Sequence, residues 1–224
     1  MPDLGVIFDM DGVLVDSYRA HFRSWQQTAR TYGLSMSEQE FAGTFGRTSR
    51  EVIRQLWPGQ FTDDRIAAFD AGKEEAYRQI LRADFPEMDG AAQLIAALHE
   101  AKFHMAIGSS GPAANVEVVK QSLSNGDLIS VTVCGGEVKH GKPDPEVFSI
   151  AARKLGLAAA QCAVIEDAPV GVEAARRAAM AAIGLTGTAP RQLLAERAHL
   201  VVDSLRELTP KLIAEVIQRA GTTE

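Results

Sequence analysis

Two carboxylates, Asp9 and Asp11, stand one residue apart at the end of an apolar run, in the stretch LGVIFDMDGVLVDS from Leu4 to Ser17. Carboxylates this close repel each other and resist burial, so the pair needs solvent, a cation or a chemical use. Three other apolar runs lead into comparable residues. FHMAIG runs into Ser109 and Ser110 of SSGP, SVTVCGG leads to Lys142 of HGKPDPE, and CAVIED ends in Glu166 and Asp167. If the four runs are parallel strands, their carboxyl ends share one edge, and four carboxylates, a hydroxyl and a lysine meet in one crevice. That group suits a hard divalent cation, magnesium above all, which takes few protein oxygens and leaves places for phosphate. An ionised aspartate can attack phosphorus, although a substrate dianion repels it by about 1 kcal/mol per charge pair at 4 Å in water. The cation and Lys142 answer that repulsion, with a serine hydroxyl holding the remaining phosphate charge. A carboxylate beside another has its pKa pushed up, which suits Asp11 as proton donor to the leaving oxygen.

Taken singly, each residue has a plainer use. Ser109 or Ser110 could cap a helix starting near Pro112, Glu166 and Asp167 a helix starting near Pro169, and Lys142 could be a solvated turn residue. A calcium loop beginning at DMDG is ruled out by Leu14 and Ala20, where that loop needs glycine and glutamate. The four plain readings would have to coincide on one edge.

The elements that must position these residues follow from the apolar pattern. Short continuous runs recur at 4–8, 103–108, 130–136, 162–167, 181–186 and 199–203. From residue 89 onward, helical spacing lies between them, as in Ala91, Leu94, Ile95 and Leu98, or Val147, Ile150, Ala151 and Leu155. Strands without polar alternation, alternating with helices, predict a parallel sheet covered on both faces, a doubly wound, Rossmann-like α/β core. Residues 16–86 break the rhythm. Tyr18, Phe22, Trp25, Ala29 and Tyr32 form one stripe, and SREVIRQLW and DDRIAAFDAGKEEAYRQIL continue it with no strand. The expected organisation is an α/β core of residues 1–15 and 87–224 carrying an inserted all-helical cap, 16–86, as a lid over the strand ends.

A net charge of −6, from 23 Lys plus Arg against 29 Asp plus Glu, argues against a nucleic-acid or anionic-membrane partner. No apolar run approaches the ~18 residues of a membrane span, and no basic, then apolar signal region leads the chain, so a cytoplasmic protein is expected. The cysteines, Cys134 and Cys162, form no CxxC pair and read as small buried hydrophobes of a reducing compartment. A monomer or weak homodimer acting on a small phosphorylated metabolite is the expectation.

FDMDGVLVDS, IGSSGP, GKPDPEVF and VIEDAPVGVEAA resemble, in order and spacing, the four motifs of the haloacid dehalogenase-like phosphohydrolases, with a helical cap between the first two. The resemblance spans nearly the whole chain. It implies Asp9 as a nucleophile forming an aspartyl-phosphate, Asp11 as general acid/base and, through its backbone carbonyl, a metal ligand. It further implies Ser109 and Lys142 on phosphate, with Ser110 beside them, and Glu166 and Asp167 at magnesium. In the cap, His21 and Lys73 and the loop residues Arg47, Thr48 and Arg50 become candidates for the substrate. His21, Trp25, Arg50 and Lys73 also match β-phosphoglucomutase-like mutases, but FGRTSRE is one residue longer than the mutase pattern and lacks its lysine. A phosphatase is therefore expected, with a phosphosugar mutase as the alternative. Dehalogenase and phosphonate-hydrolase relatives lack the second aspartate that Asp11 supplies. A phospho-acceptor signalling domain would carry its aspartate after the third strand and no cap.

Overall fold

A computed structural model describes residues 3–44 and 47–222. The chain divides into two compact units, Met1–Asp16 with Pro86–Glu224, and Ser17–Phe85. The division falls one residue inside the expected 16–86, because the Asp16 amide donates to the Pro86 carbonyl at 2.9 Å and so stays with the first unit.

That unit is built on six parallel strands, β1 (Gly5–Phe8), β2 (His104–Gly108), β3 (Val131–Val133), β4 (Cys162–Glu166), β5 (Ala181–Leu185) and β6 (Leu200–Val202). Their spatial order is β3-β2-β1-β4-β5-β6, the doubly wound arrangement expected. Val6, Ile7, Phe8, Ala106, Ile107, Ala163, Val164, Ile165, Ala182 and Ile183 are all fully buried. Successive side chains point to opposite faces of a sheet, so such unbroken burial means that both faces are covered. β1 pairs with β2 on one side and β4 on the other, with Phe8 opposite both Ile107 and Ile165. The strand order therefore reverses at β1, and the crevice beyond the carboxyl ends of β1 and β4 is where such sheets bind ligands.

The second unit contains α1 (Tyr18–Thr31), α2 (Glu38–Ala42), α3 (Ser49–Leu56) and α4 (Asp63–Ala83), and α5 (Ala91–Glu100) resumes the first unit before β2. Apolar residues at three- and four-residue spacing turn one side of each longer helix inward, and the core they share is aromatic. Trp25 lies 5.4 Å from Phe69 and 6.4 Å from Trp57, in tilted pairs that add to the area they bury. The short α2 was not expected. Ser37 starts it, its hydroxyl receiving the Glu40 amide while the Glu40 carboxylate receives the Ser37 amide.

Candidate active site

β1 delivers Asp9 to the sheet edge, its amide bonded to the Ile165 carbonyl at 2.9 Å. β4 ends in Glu166 and leads at once to Asp167. The three carboxylates are 7, 2 and 5% exposed, and each offers an oxygen within 4.8 Å of the others. Between them comes Lys142, from the loop before α7 (Glu146–Leu155): its Nζ lies 2.5 Å from Asp9 Oδ1 and 2.6 Å from Glu166 Oε1. The ammonium also stands 4.9 Å from the centre of the Phe148 ring. Lys142, its side chain 10% exposed, is thus a partner of acids and not a solvated turn residue.

One ammonium faces three buried carboxylates. Burial, reinforced by Glu166 and Asp167, pushes Asp9 well above the usual carboxylate range despite Lys142. Burial and then Glu166 raise Asp167 from 3.8 to about 7, against a hydrogen bond from Thr188 and the charge of Lys142. Burial works against the charged form of Lys142, but Asp9 and Glu166 outweigh it and hold the ammonium above its ordinary range. Three hard oxygen donors with two negative charges left uncompensated fit a divalent cation of the magnesium kind.

Close packing holds the acids in place. Glu166 Oε2 accepts the Ala168 amide at 2.7 Å at the start of α8 (Pro169–Arg177), where the helix dipole favours negative charge. A Cβ on Gly171 would stand 1.7 Å from Glu166 Oε1, so only glycine lets the first turn of α8 approach the carboxylate. Gly12 holds φ +78° in the turn after β1, and a Cβ there would reach within 1.9 Å of Asp167 Oδ2. In that turn the Met10 carbonyl accepts the amides of Leu14 at 2.9 Å and Val15 at 3.3 Å. Asp11 sits in the same turn, partly exposed, and its carboxylate does not join the group of three.

Ser109, just past β2, is buried, and its Oγ accepts the Gly111 amide at 3.0 Å, leaving the hydroxyl proton free to donate elsewhere. It does not cap α6 (Ala113–Ser122), whose first turn follows Pro112 with no side-chain cap; Ser110 is exposed.

A model of the haloacid dehalogenase-like hydrolases matches residues 4–179. Hexitol phosphatase A of Escherichia coli is 32% identical over 205 residues, covering 92% of this chain and 93% of its own. The chain belongs to the haloacid dehalogenase-like hydrolases. The β-phosphoglucomutase of Bacillus subtilis is 28% identical over 217 residues, covering 94% of this chain and 93% of its own. A family hydrolase from Entamoeba histolytica superimposes with a TM-score of 0.84 at 26% identity, over 96% of this chain and 99% of that one.

This haloacid dehalogenase-like hydrolase is an enzyme of the phosphoric monoester class. In its helical unit the candidate residues have partners of their own. Lys73 is buried, pairs with Glu74 and stands 5.6 Å from the centre of the Trp25 ring. His21 stacks on Tyr77 with ring centres 4.1 Å apart. Arg50 pairs with Asp63 at 2.9 Å, Arg47 donates to Gln55, and Thr48 caps α3 by exchanging hydrogen bonds with Glu51. Phe45 of the FGRTSRE loop lies outside the described residues.

Sequence reasoning missed two supports of the acidic group. Thr188, in the loop after β5, donates from Oγ1 to Asp167 Oδ2. Glu146 Oε2 accepts the amides of Lys139 at 2.7 Å and His140 at 3.0 Å, and Asp144 accepts the Glu146 amide at 3.0 Å, which together brace the loop carrying Lys142. Thr188 follows the fifth apolar run, which ends at the same edge as the others, but a lone threonine there carries no signature of its own. The cysteines are both free; Cys162 is buried as expected, whereas Cys134 is only partly so.

Proposed function

We propose that the protein is a magnesium-dependent phosphatase of small phosphorylated metabolites, sugar phosphates foremost, acting through an aspartyl-phosphate on Asp9. The observation that carries the reading is the buried trio Asp9, Glu166 and Asp167 held around Lys142 at the switch point of the sheet. The hexitol phosphatase relative supports the substrate class. Asp9 and Asp167, with Glu166 adding its charge and Asp11 its backbone carbonyl, would hold the cation. When bound, the cation supplies positive charge against the phosphate oxygens and the repulsion of Asp9.

An Asp9 carboxylate oxygen forms a bond to phosphorus as the ester bond breaks, and Asp11 gives its proton to the departing alkoxide. Lys142 and the Ser109 hydroxyl hold the transferring phosphoryl oxygens. Water then attacks the phosphorus of the aspartyl-phosphate, Asp11 takes its proton, the bond to Asp9 breaks, and inorganic phosphate leaves.

A mutase is the second reading, favoured by the Bacillus relative and by the match at His21, Trp25, Arg50 and Lys73. A mutase must protect its aspartyl-phosphate from water until a second sugar position receives the group. Supplying β-glucose 1-phosphate with traces of the bisphosphate separates the two. The phosphatase reading expects steady release of inorganic phosphate, and faster appearance of glucose 6-phosphate would replace it with the mutase. Asp9→Asn should keep the fold and lose turnover by several orders of magnitude, because an amide does not attack phosphorus.

A further inference from the structure

We propose that Thr188 sets which cation the acidic group takes, by leaving Asp167 a single free oxygen and so favouring magnesium over calcium. Thr188 acts in this way only on a cation held by Asp9 and Asp167, as proposed above. The threonine stands in the loop after β5, beyond the residues 4–179 that the family model matches.

Most oxygens of the acidic group already have partners. Lys142 Nζ bonds one oxygen of Asp9 and one of Glu166, and the second oxygen of Glu166 accepts the Ala168 amide. Asp167 Oδ2 accepts the Thr188 hydroxyl. The turn after β1 covers the same oxygen from another side: a Cβ on Gly12 would stand 1.9 Å from Asp167 Oδ2 and 3.1 Å from Thr188 Oγ1. Oδ2 therefore lies against a hydroxyl and a stretch of backbone, which leaves Oδ1 as the oxygen Asp167 has to offer. An O–H donating to a carboxylate is a charge-assisted bond and among the stronger ones, so it holds that division between the two oxygens. Magnesium binds through one or two carboxylates and keeps several waters, whereas calcium takes about six to eight oxygens and often both of one carboxylate. An aspartate with one oxygen engaged suits the smaller ion and handicaps the larger. Without the hydroxyl, Oδ2 joins Oδ1 on a cation wide enough to accept both. Thr188 is thus a positioning residue that works through Asp167.

The test is isothermal titration calorimetry of the metal-free full chain with magnesium chloride and, separately, calcium chloride. Thr188→Val keeps the shape of the side chain and removes the hydroxyl; at an exposed loop position it should fold as the wild type does, which circular dichroism checks. The wild type should bind magnesium more tightly than calcium. Thr188→Val should move the ratio of the two affinities about tenfold toward calcium, Thr188→Ala should move it likewise, and Thr188→Ser, which keeps the hydroxyl, should hold the wild-type ratio. Loss of a merely structural contact would weaken both cations alike and leave the ratio where it was. Asp167→Asn marks the heat that belongs to this site, since binding that survives it is elsewhere. A wild type that takes calcium as tightly as magnesium, a ratio unchanged by Thr188→Val and Thr188→Ala, or one moved equally by Thr188→Ser overturns the role of Thr188 while the cation reading stands. No saturable magnesium binding in the wild type, or binding indifferent to Asp167→Asn, overturns the cation reading and the role of Thr188 with it.

Discussion

Asp167 puts the electrostatics of the acidic group within reach of a stability measurement. Its pKa of about 7 in the fold, against 3.8 ordinarily, means that the folded chain keeps a proton the unfolded chain sheds between those values. The contribution to stability is fully present below about pH 4 and disappears as pH rises through about 7. With a chelator present, the melting temperature of the wild type relative to Asp167→Asn should fall across that window. Taking the difference cancels His199 and the exposed carboxylates. Magnesium should restore the wild type most at pH 8, and a difference that stays flat with pH would remove the uncompensated charge from the account. Asp11 calls for a kinetic test: Asp11→Asn should lose about 10²–10⁴-fold with alkyl phosphates and much less with nitrophenyl phosphate, whose leaving group needs no proton. Equal losses on both would assign the proton to another donor.

At the scale of elements, α8 shows how little room the site leaves. Gly171→Ala raises helix propensity by up to about 1 kcal/mol, yet the added carbon would overlap the Glu166 carboxylate, which is fixed by Lys142 and the Ala168 amide. Overpacking of this kind costs about 1–3 kcal/mol, so the expected outcome is a lower melting temperature together with a clear fall in kcat/KM; full activity would mean that Glu166 can move without consequence. The strands of the core were legible because burial on both faces leaves unbroken apolar runs, and Asp9, Ser109, Lys142, Glu166 and Asp167 because parallel strands put their ends on one edge. Thr188 was harder to see because its partner lies 21 residues away and a lone threonine carries no signature. Asp11 follows Asp9 by two residues in the turn after β1, and its carboxylate lies outside the group of three. Thr48 has local work of its own. Its TSRE segment is a capping box in plain sight, and the structure gives the threonine that work.

At the scale of the whole chain, two kinds of core account for two kinds of sequence. The α/β unit packs aliphatic residues between sheet and helices, whereas the helical unit relies on a few large rings around Phe69 and Trp57. The connections between the units have their own geometry. Val15 bridges Glu87 in antiparallel fashion, Asp16 donates to Pro86 at 2.9 Å, and Met88 donates to Leu14 at 3.0 Å. In polymer terms, Ser17–Phe85 is a long loop whose two ends the core holds one hydrogen bond apart. Closing such a loop costs about (3/2)RT ln n for n residues, so a short turn in its place makes the sheet easier, not harder, to close. A chain with Asp16 joined to Pro86 through a two-residue turn should therefore refold as an α/β unit with a single cooperative transition and still bind magnesium. Failure to refold would show that the insertion is needed to hold the core together, and that its tethered ends do not make it removable.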